Sequence, residues 1–142
     1  PALSGDDLKN GITGAEAVFA NDYEFPLIEF KTGWKAEDIL KVANVLVITL
    51  GEAGSRVITK DGEVRVGAIP AQAVKDPTGA GDGYRAGYIK GSIAGMKPAA
   101  CAQLGSACAT YVVENVGTQG HTFTMEELRK RYEVSYGEAL KI

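Results

Sequence analysis

The run Asp76-Pro77-Thr78-Gly79-Ala80-Gly81-Asp82-Gly83-Tyr84 brings two carboxylates and a string of small residues to the opening of a helix. Glycines at 79 and 81 let backbone N–H groups come close to a charged ligand, and the helix behind them adds the positive end of its dipole. Phosphate is the natural guest of such a place. Asp82 falls in the first helical turn, near enough to the same anion site to accept a proton from a hydroxyl that attacks phosphorus. The chemistry within reach is phosphoryl transfer to an alcohol. A glycine turn with an ordinary capped helix start explains GAGD alone equally well, since Asp is favoured there. No G-x-x-x-x-G-K-[ST] P-loop occurs in the chain, so a phosphate cradle has to be this helix start.

The elements that must hold these residues follow from local signals. Ser4 with Asp6 and Asp7 opens a helix, and residues 17–20 read as a short buried strand that delivers Asn21 and Glu24 at its C-terminal end. Thr32-Gly33 is a breaker, 36–42 a helix, and 45–49 an apolar strand running into Thr49-Leu50-Gly51-Glu52-Ala53-Gly54. Segments 55–59 and 63–66 flank Lys60-Asp61-Gly62, an Asp-Gly hairpin signal. A helix over 80–94 and a second from Pro98 to about residue 116 are expected to pack together, with Tyr84, Tyr88 and Tyr111 in the core. Residues 117–121 form a loop, and Thr124 with Glu127 is a capping box for a last, charged helix. Trp34 is expected on a surface loop. The alternation of strands and helices predicts an α/β sandwich with a mainly parallel sheet and an antiparallel hairpin edge. In such sheets ligands bind at the C-terminal ends of the strands.

Three motifs in order carry a resemblance. Asp76 to Tyr84 is similar to the D-T-x-G-A-G-D-x-F signature of the PfkB, or ribokinase-like, family of carbohydrate and nucleoside kinases; Asn21-Asp22-Tyr23-Glu24 resembles its N-x-x-E motif, and Thr49 to Gly54 its T-x-G-x-x-G loop. Within the family, Asp76-Pro77-Thr78, Tyr84-Arg85-Ala86-Gly87 and Val116-Gly117-Thr118-Gln119 look most like bacterial adenosine kinases. The resemblance implies a three-layer α/β/α sandwich and transfer from ATP to a primary hydroxyl, that of a nucleoside or of a sugar such as fructose or ribose. It implies Asp82 as the base, with Gly79, Ala80 and Gly81 holding the transferring phosphoryl group. Asn21 and Glu24 would organise Mg2+, and Asp76 and Thr78 a monovalent cation such as K+. Thr49, Gly51 and Gly54 would line the phosphates and ribose of ATP, and Gly117, Thr118 and Gln119 would border the adenine or the cation. Pro77 departs from the commoner Thr but leaves Asp76, Thr78 and Asp82 in place. Arg85 could neutralise phosphate charge or lie on a solvated helix surface.

All three motifs belong to the C-terminal half of such kinases, and the chain starts at Pro1. Residues 1–142 are therefore expected to be the C-terminal ATP-binding and catalytic part, with the N-terminal half and lid absent and the piece alone inactive. An incomplete nucleotide-binding fragment is the alternative from another class, and an interaction domain without ligand would leave the three motifs as coincidence. The missing half is one expected partner, and exposed core surface leaves self-association open.

Composition bounds the rest. With 45% hydrophobic and 23% charged residues, 142 residues suit one ordinary core. A net charge of −3 gives no general attraction to nucleic acid or anionic membrane, so anion binding must be local. Cys101 and Cys108, seven apart in one helix, lie too far apart to bridge and are expected as core thiols of a cytoplasmic protein. His121 is the one histidine, which excludes a histidine-rich zinc site.

Overall fold

A computed structural model describes residues 3–142. The chain divides into two units, one made of residues up to Gly51 with Ser55–Arg65, the other of Glu52–Gly54 with Val66–Ile142.

In the first unit, helix α1 spans Gly5–Ile12. The Ser4 hydroxyl accepts the Asp7 amide at 3.1 Å, and the Asp7 carboxylate accepts the Ser4 amide at 3.0 Å, so two orphan donors of the helix start are satisfied reciprocally. Strand β1, Ala17–Asn21, is followed by helix α2, Glu24–Thr32, and α2 stops at Gly33, whose left-handed φ of 71° is what a glycine C-cap provides. No helix was expected over 24–32. Pro26 reads as a breaker in sequence, but in the first turn of a helix its missing N–H costs nothing. Helix α3 is Ala36–Val42 and strand β2 is Val45–Thr49. A short 3-10 turn, Gly51–Ala53, leads to strands β3, Ser55–Thr59, and β4, Gly62–Val66.

The sheet order is β1-β2-β3-β4, with β1 parallel to β2 and β2 antiparallel to β3. The hairpin edge is as expected, whereas parallel pairing is confined to β1 and β2 and the sheet of this chain is mixed. The cause is connection length. A parallel neighbour needs a crossover of a dozen or more residues, such as the one through α2 and α3, and the five-residue turn after β2 can only reverse the strand. Arg56 on β3 grips Glu63 on β4 through two hydrogen bonds of 2.8 and 2.7 Å. Ile12, Val18, Ile39, Leu40, Leu46, Ile48 and Ile58 form the core of this unit. Trp34 packs against it partly buried, with the Lys9 ammonium 5.5 Å from its ring centre, rather than lying on a surface loop.

The second unit is built on helices α4, Ala80–Ile93; α5, Pro98–Val113; and α6, Met125–Tyr136. Proline at the first position of α5 and the Thr124–Glu127 capping box of α6 mark their starts as the sequence indicated. Helix α5 ends at Val113, short of residue 116. There the Asn115 side chain donates to the Tyr111 carbonyl at 2.9 Å and satisfies a last-turn acceptor. Leu104, Ala107, Leu128, Tyr132 and Leu140 make the core. Tyr84 and Tyr88 are buried as expected. Tyr111 packs against this core partly buried, in a stack with its ring centre 4.4 Å from that of Phe123 and 3.7 Å from the Arg131 guanidinium carbon. Arg131 also pairs with Glu114 at 2.8 Å, so α6 is fastened to the end of α5. Both cysteines are free, and burial pushes the Cys108 thiol up to about 11. Among the described residues no helix is long and apolar enough to cross a membrane.

Candidate functional site

The GAGD loop lies wholly in the second unit. Gly79 is the N-cap of α4, with φ 86° and ψ −4°, a left-handed conformation that residues with a Cβ adopt only under strain. A Cβ there would also stand 3.1 Å from the Thr118 Cα. The Ala80 amide donates to the Pro77 carbonyl at 3.1 Å and the Gly83 amide to the Gly79 carbonyl at 2.9 Å. Helix geometry leaves the amides of Gly81 and Asp82 without an intrahelical acceptor. The donors open to an anion are therefore at 81 and 82, and the Ala80 amide is already engaged. Apart from its chain neighbours and the nearby backbone of its own helix, no atom lies within 4 Å of the place a Gly81 Cβ would take, so this side of the helix start is open. Asp82 occupies the third position of α4, with its side chain 75% exposed and paired to Arg85 in the next turn.

Asp76 braces this loop. One carboxylate oxygen accepts the Thr78 amide at 2.9 Å, and the other accepts the Gly117 amide at 2.9 Å, across 41 positions of sequence. The GAGD loop and the loop carrying Gly117, Thr118 and Gln119 are thereby joined through one side chain, a connection no local signal announces. The Thr78 hydroxyl, the Thr78 amide and the Gly117 amide hold the Asp76 carboxyl below the usual carboxylate range. Asp7, Asp38, Glu63 and Glu127 are lowered in the same direction, chiefly by Ser4, Lys41, Arg56 and Thr124. A group whose folded-state pKa is depressed stabilises the fold above its unfolded value, and the contribution is lost as pH falls through the folded value. Urea midpoints should accordingly decline as pH drops below about 5, and Asp76→Asn should decline less steeply because the group no longer titrates. A midpoint that rises on acidification contradicts this account.

In the first unit, Asn21 and Thr49 are register partners at the C-terminal ends of parallel β1 and β2, so two of the motifs sit side by side. The Asn21 side-chain oxygen accepts the amides of Tyr23 and Glu24 at 2.9 and 2.7 Å, and Glu24 returns a carboxylate oxygen to the Asn21 amide at 2.9 Å. The N-x-x-E side chains thus fix the turn that leads into α2 by reciprocal bonds, while the N-cap itself, Tyr23, makes no side-chain cap bond. Asn21 is committed to the backbone, while Glu24 is exposed and has spare acceptor capacity. Among the described residues no cluster of three or more His, Cys, Asp or Glu is arranged to hold a metal. Thr49 is half-buried and Gly51 has φ 57°. Gly54 has a packing reason of its own in the second unit, since a Cβ would fall 2.1 Å from the Val66 carbonyl oxygen.

One feature that sequence reasoning missed supports the cradle. Gly83, Gly87 and Gly91 recur every fourth residue along the α4 face that meets α5, and a Cβ at each would approach Val112, Leu104 and Cys101 respectively within 2.6, 2.7 and 3.2 Å. The signal was the spacing itself: small residues at i, i+4 and i+8 let two helix backbones come close.

A family model described as pfkB family carbohydrate kinase matches residues 1–124. The nucleoside kinase of Methanocaldococcus jannaschii is 34% identical over 133 residues, which is 94% of this chain and 44% of that protein. The nucleoside kinase of Methanothermobacter thermautotrophicus is 33% identical over 135 residues, 94% of this chain and 43% of that one. Among solved structures, Burkholderia thailandensis nucleoside kinase in complex with ADP-inosine superposes with a TM-score of 0.94 at 33% identity, covering 98% of this chain and 44% of that chain. The chain thus spans less than half the length of these relatives and matches their C-terminal part. With the motifs, the α/β fold and the family match over most of its length in agreement, the chain belongs to the pfkB family of carbohydrate kinases.

Proposed function

We propose that the full-length protein is an ATP-dependent nucleoside kinase and that this chain is its nucleotide-binding and catalytic part. The observation that carries the reading is the start of α4: two amides without helical acceptors, open space over Gly81, and a carboxylate one residue on. Asp82 takes the proton of the acceptor hydroxyl as its oxygen attacks the terminal phosphorus, and the bond from that phosphorus to the bridging oxygen of the nucleotide breaks. The amides of Gly81 and Asp82 and the dipole of α4 hold the phosphoryl oxygens in line. Gly79 supplies the backbone turn, and Asp76 keeps that turn fixed to the loop of Gly117, Thr118 and Gln119, which we assign to the nucleotide. Thr49 and Gly51 are assigned to it as well.

For Mg2+, the fit is through water: Glu24 has acceptor capacity to orient metal-bound waters, and Asn21 positions Glu24 rather than ligating. When bound, magnesium-ATP supplies the phosphoryl group and the counter-charge for it. The monovalent cation fits less well. Both Asp76 oxygens accept backbone amides, so the carboxylate has a bracing role without an ion, and no step is derived through K+.

A nucleoside acceptor is favoured over a sugar because relatives covering 94% of the chain are nucleoside kinases, one solved relative being in complex with inosine. Inositol 3-kinase of Arabidopsis thaliana, at 40% identity, covers 51% of this chain. The test is phosphorylation of adenosine, inosine and cytidine against ribose, fructose and inositol by the full-length protein with magnesium-ATP. We expect nucleoside kcat/KM to exceed that of any sugar by at least about a hundredfold, the discrimination a site built around base hydrogen bonds affords. Sugar preference would move the reading to the sugar kinases of the family, and no transfer to any acceptor would leave a nucleotide-binding module.

A further inference from the structure

We infer that Arg85 is a positioning residue that holds the Asp82 carboxylate in its working direction, an inference that rests on the kinase reading above. Among the described residues Arg85 is the one side-chain partner of Asp82, contacting Oδ1 through Nη2. The carboxylate is 75% exposed and would otherwise turn freely between rotamers. A base acts well only when its lone pair faces the reacting hydroxyl within narrow limits, and small displacements cost large factors in rate. Tethering one oxygen leaves the other to take the proton.

The direction of the pair is set by helix packing. Tyr84 and Tyr88 are buried, and Gly83 and Gly87 press against α5, so α4 cannot rotate about its axis. Residues 82 and 85, three apart, are both exposed and stand one turn from each other on the remaining side. The spacing places acid before base, the orientation the helix dipole favours. The pair is too exposed to matter much for folding, which makes a local task its better explanation.

The test is steady-state kinetics and calorimetric nucleotide binding on the full-length protein and its Arg85→Ala, Arg85→Gln, Arg85→Lys, Asp82→Asn and Asp82→Asn/Arg85→Ala variants. Arg85→Ala and Arg85→Gln should lower kcat about ten- to a hundredfold, with nucleoside KM and nucleotide Kd changed by no more than about twofold. Arg85→Lys, which keeps the charge, should recover most of the rate. In the Asp82→Asn background, loss of Arg85 should change kcat little, because a residue acting through Asp82 has nothing left to act on. An unchanged kcat in Arg85→Ala overturns the inference. So does a loss confined to nucleotide Kd, or one that adds in full to that of Asp82→Asn, since either makes Arg85 a phosphate ligand in its own right. An unmodified protein with no transferase activity overturns the kinase reading first, and this inference with it.

Discussion

Replacing Asp82 with Asn in the full-length protein should reduce kcat for phosphoryl transfer by about a thousandfold, the middle of the range that general-base groups supply. The side chain keeps its size and its place in the first turn of α4, so the cradle amides of Gly81 and Asn at 82 remain where they are. What disappears is the acceptor for the hydroxyl proton. Nucleotide affinity should hold or tighten, because a negative charge next to the phosphates has been removed. Stability should change little, since an exposed acid at a helix start contributes at most about 1 kcal/mol. Single-turnover transfer and calorimetric nucleotide binding, measured on the same preparation, separate these effects. A kcat within threefold of the unmodified protein would remove Asp82 from the base role and leave it as a helix-start residue, the reading that GAGD permits without its neighbours.

Local signals carried most of the fold. Strands 17–21 and 45–49 and the helices at 5, 36, 80, 98 and 125 each have caps, prolines or apolar runs that act within a few residues. The unexpected helix α2 shows where such signals compete. Reciprocal bonds between Asn21 and Glu24 tie the turn before it, yet Pro26 and a largely apolar stretch obscure its start, and Tyr23, Leu27 and Phe30 stay exposed. The sheet was harder, because whether a strand runs parallel depends on connection length and not on the strand's own residues. The site divides in the same way. Gly79, Gly81 and Asp82 are legible because a left-handed cap and a first-turn acid are local facts. The tie from Asp76 to Gly117 spans 41 residues and exists only once α4 and α5 have packed. That tie gives Asp76 a bracing role that the sequence did not show, each of its oxygens accepting one backbone amide.

The packing of α4 on α5 is therefore the step on which the cradle depends, and Gly87→Val should severely damage the fold of the second unit. A Cβ at 87 would lie 2.7 Å from the Leu104 carbonyl oxygen and 2.9 Å from the Gly105 Cα, and backbone atoms cannot turn aside as a side chain can. The helices must separate, which strips contacts from Tyr84, Tyr88 and Leu104, all buried. Glycine to alanine inside a helix ordinarily gains up to about 1 kcal/mol from propensity. At 87 the sign should reverse, with overpacking costing about 1–3 kcal/mol for Ala and more for Val, whose two methyl groups have nowhere to go. Gly11 in α1 is the internal control: nothing lies within 4 Å of its Cβ position, so Gly11→Ala should stabilise by about 0.5–1 kcal/mol. Urea unfolding of the three variants reads all of this. Equal gains at 87 and 11 would mean that propensity dominates and that the helices are free to part. A loss at 87 beside a gain at 11 ties the distance between α4 and α5 to the three glycines, and with it the place at which Asp82 and its neighbouring amides stand.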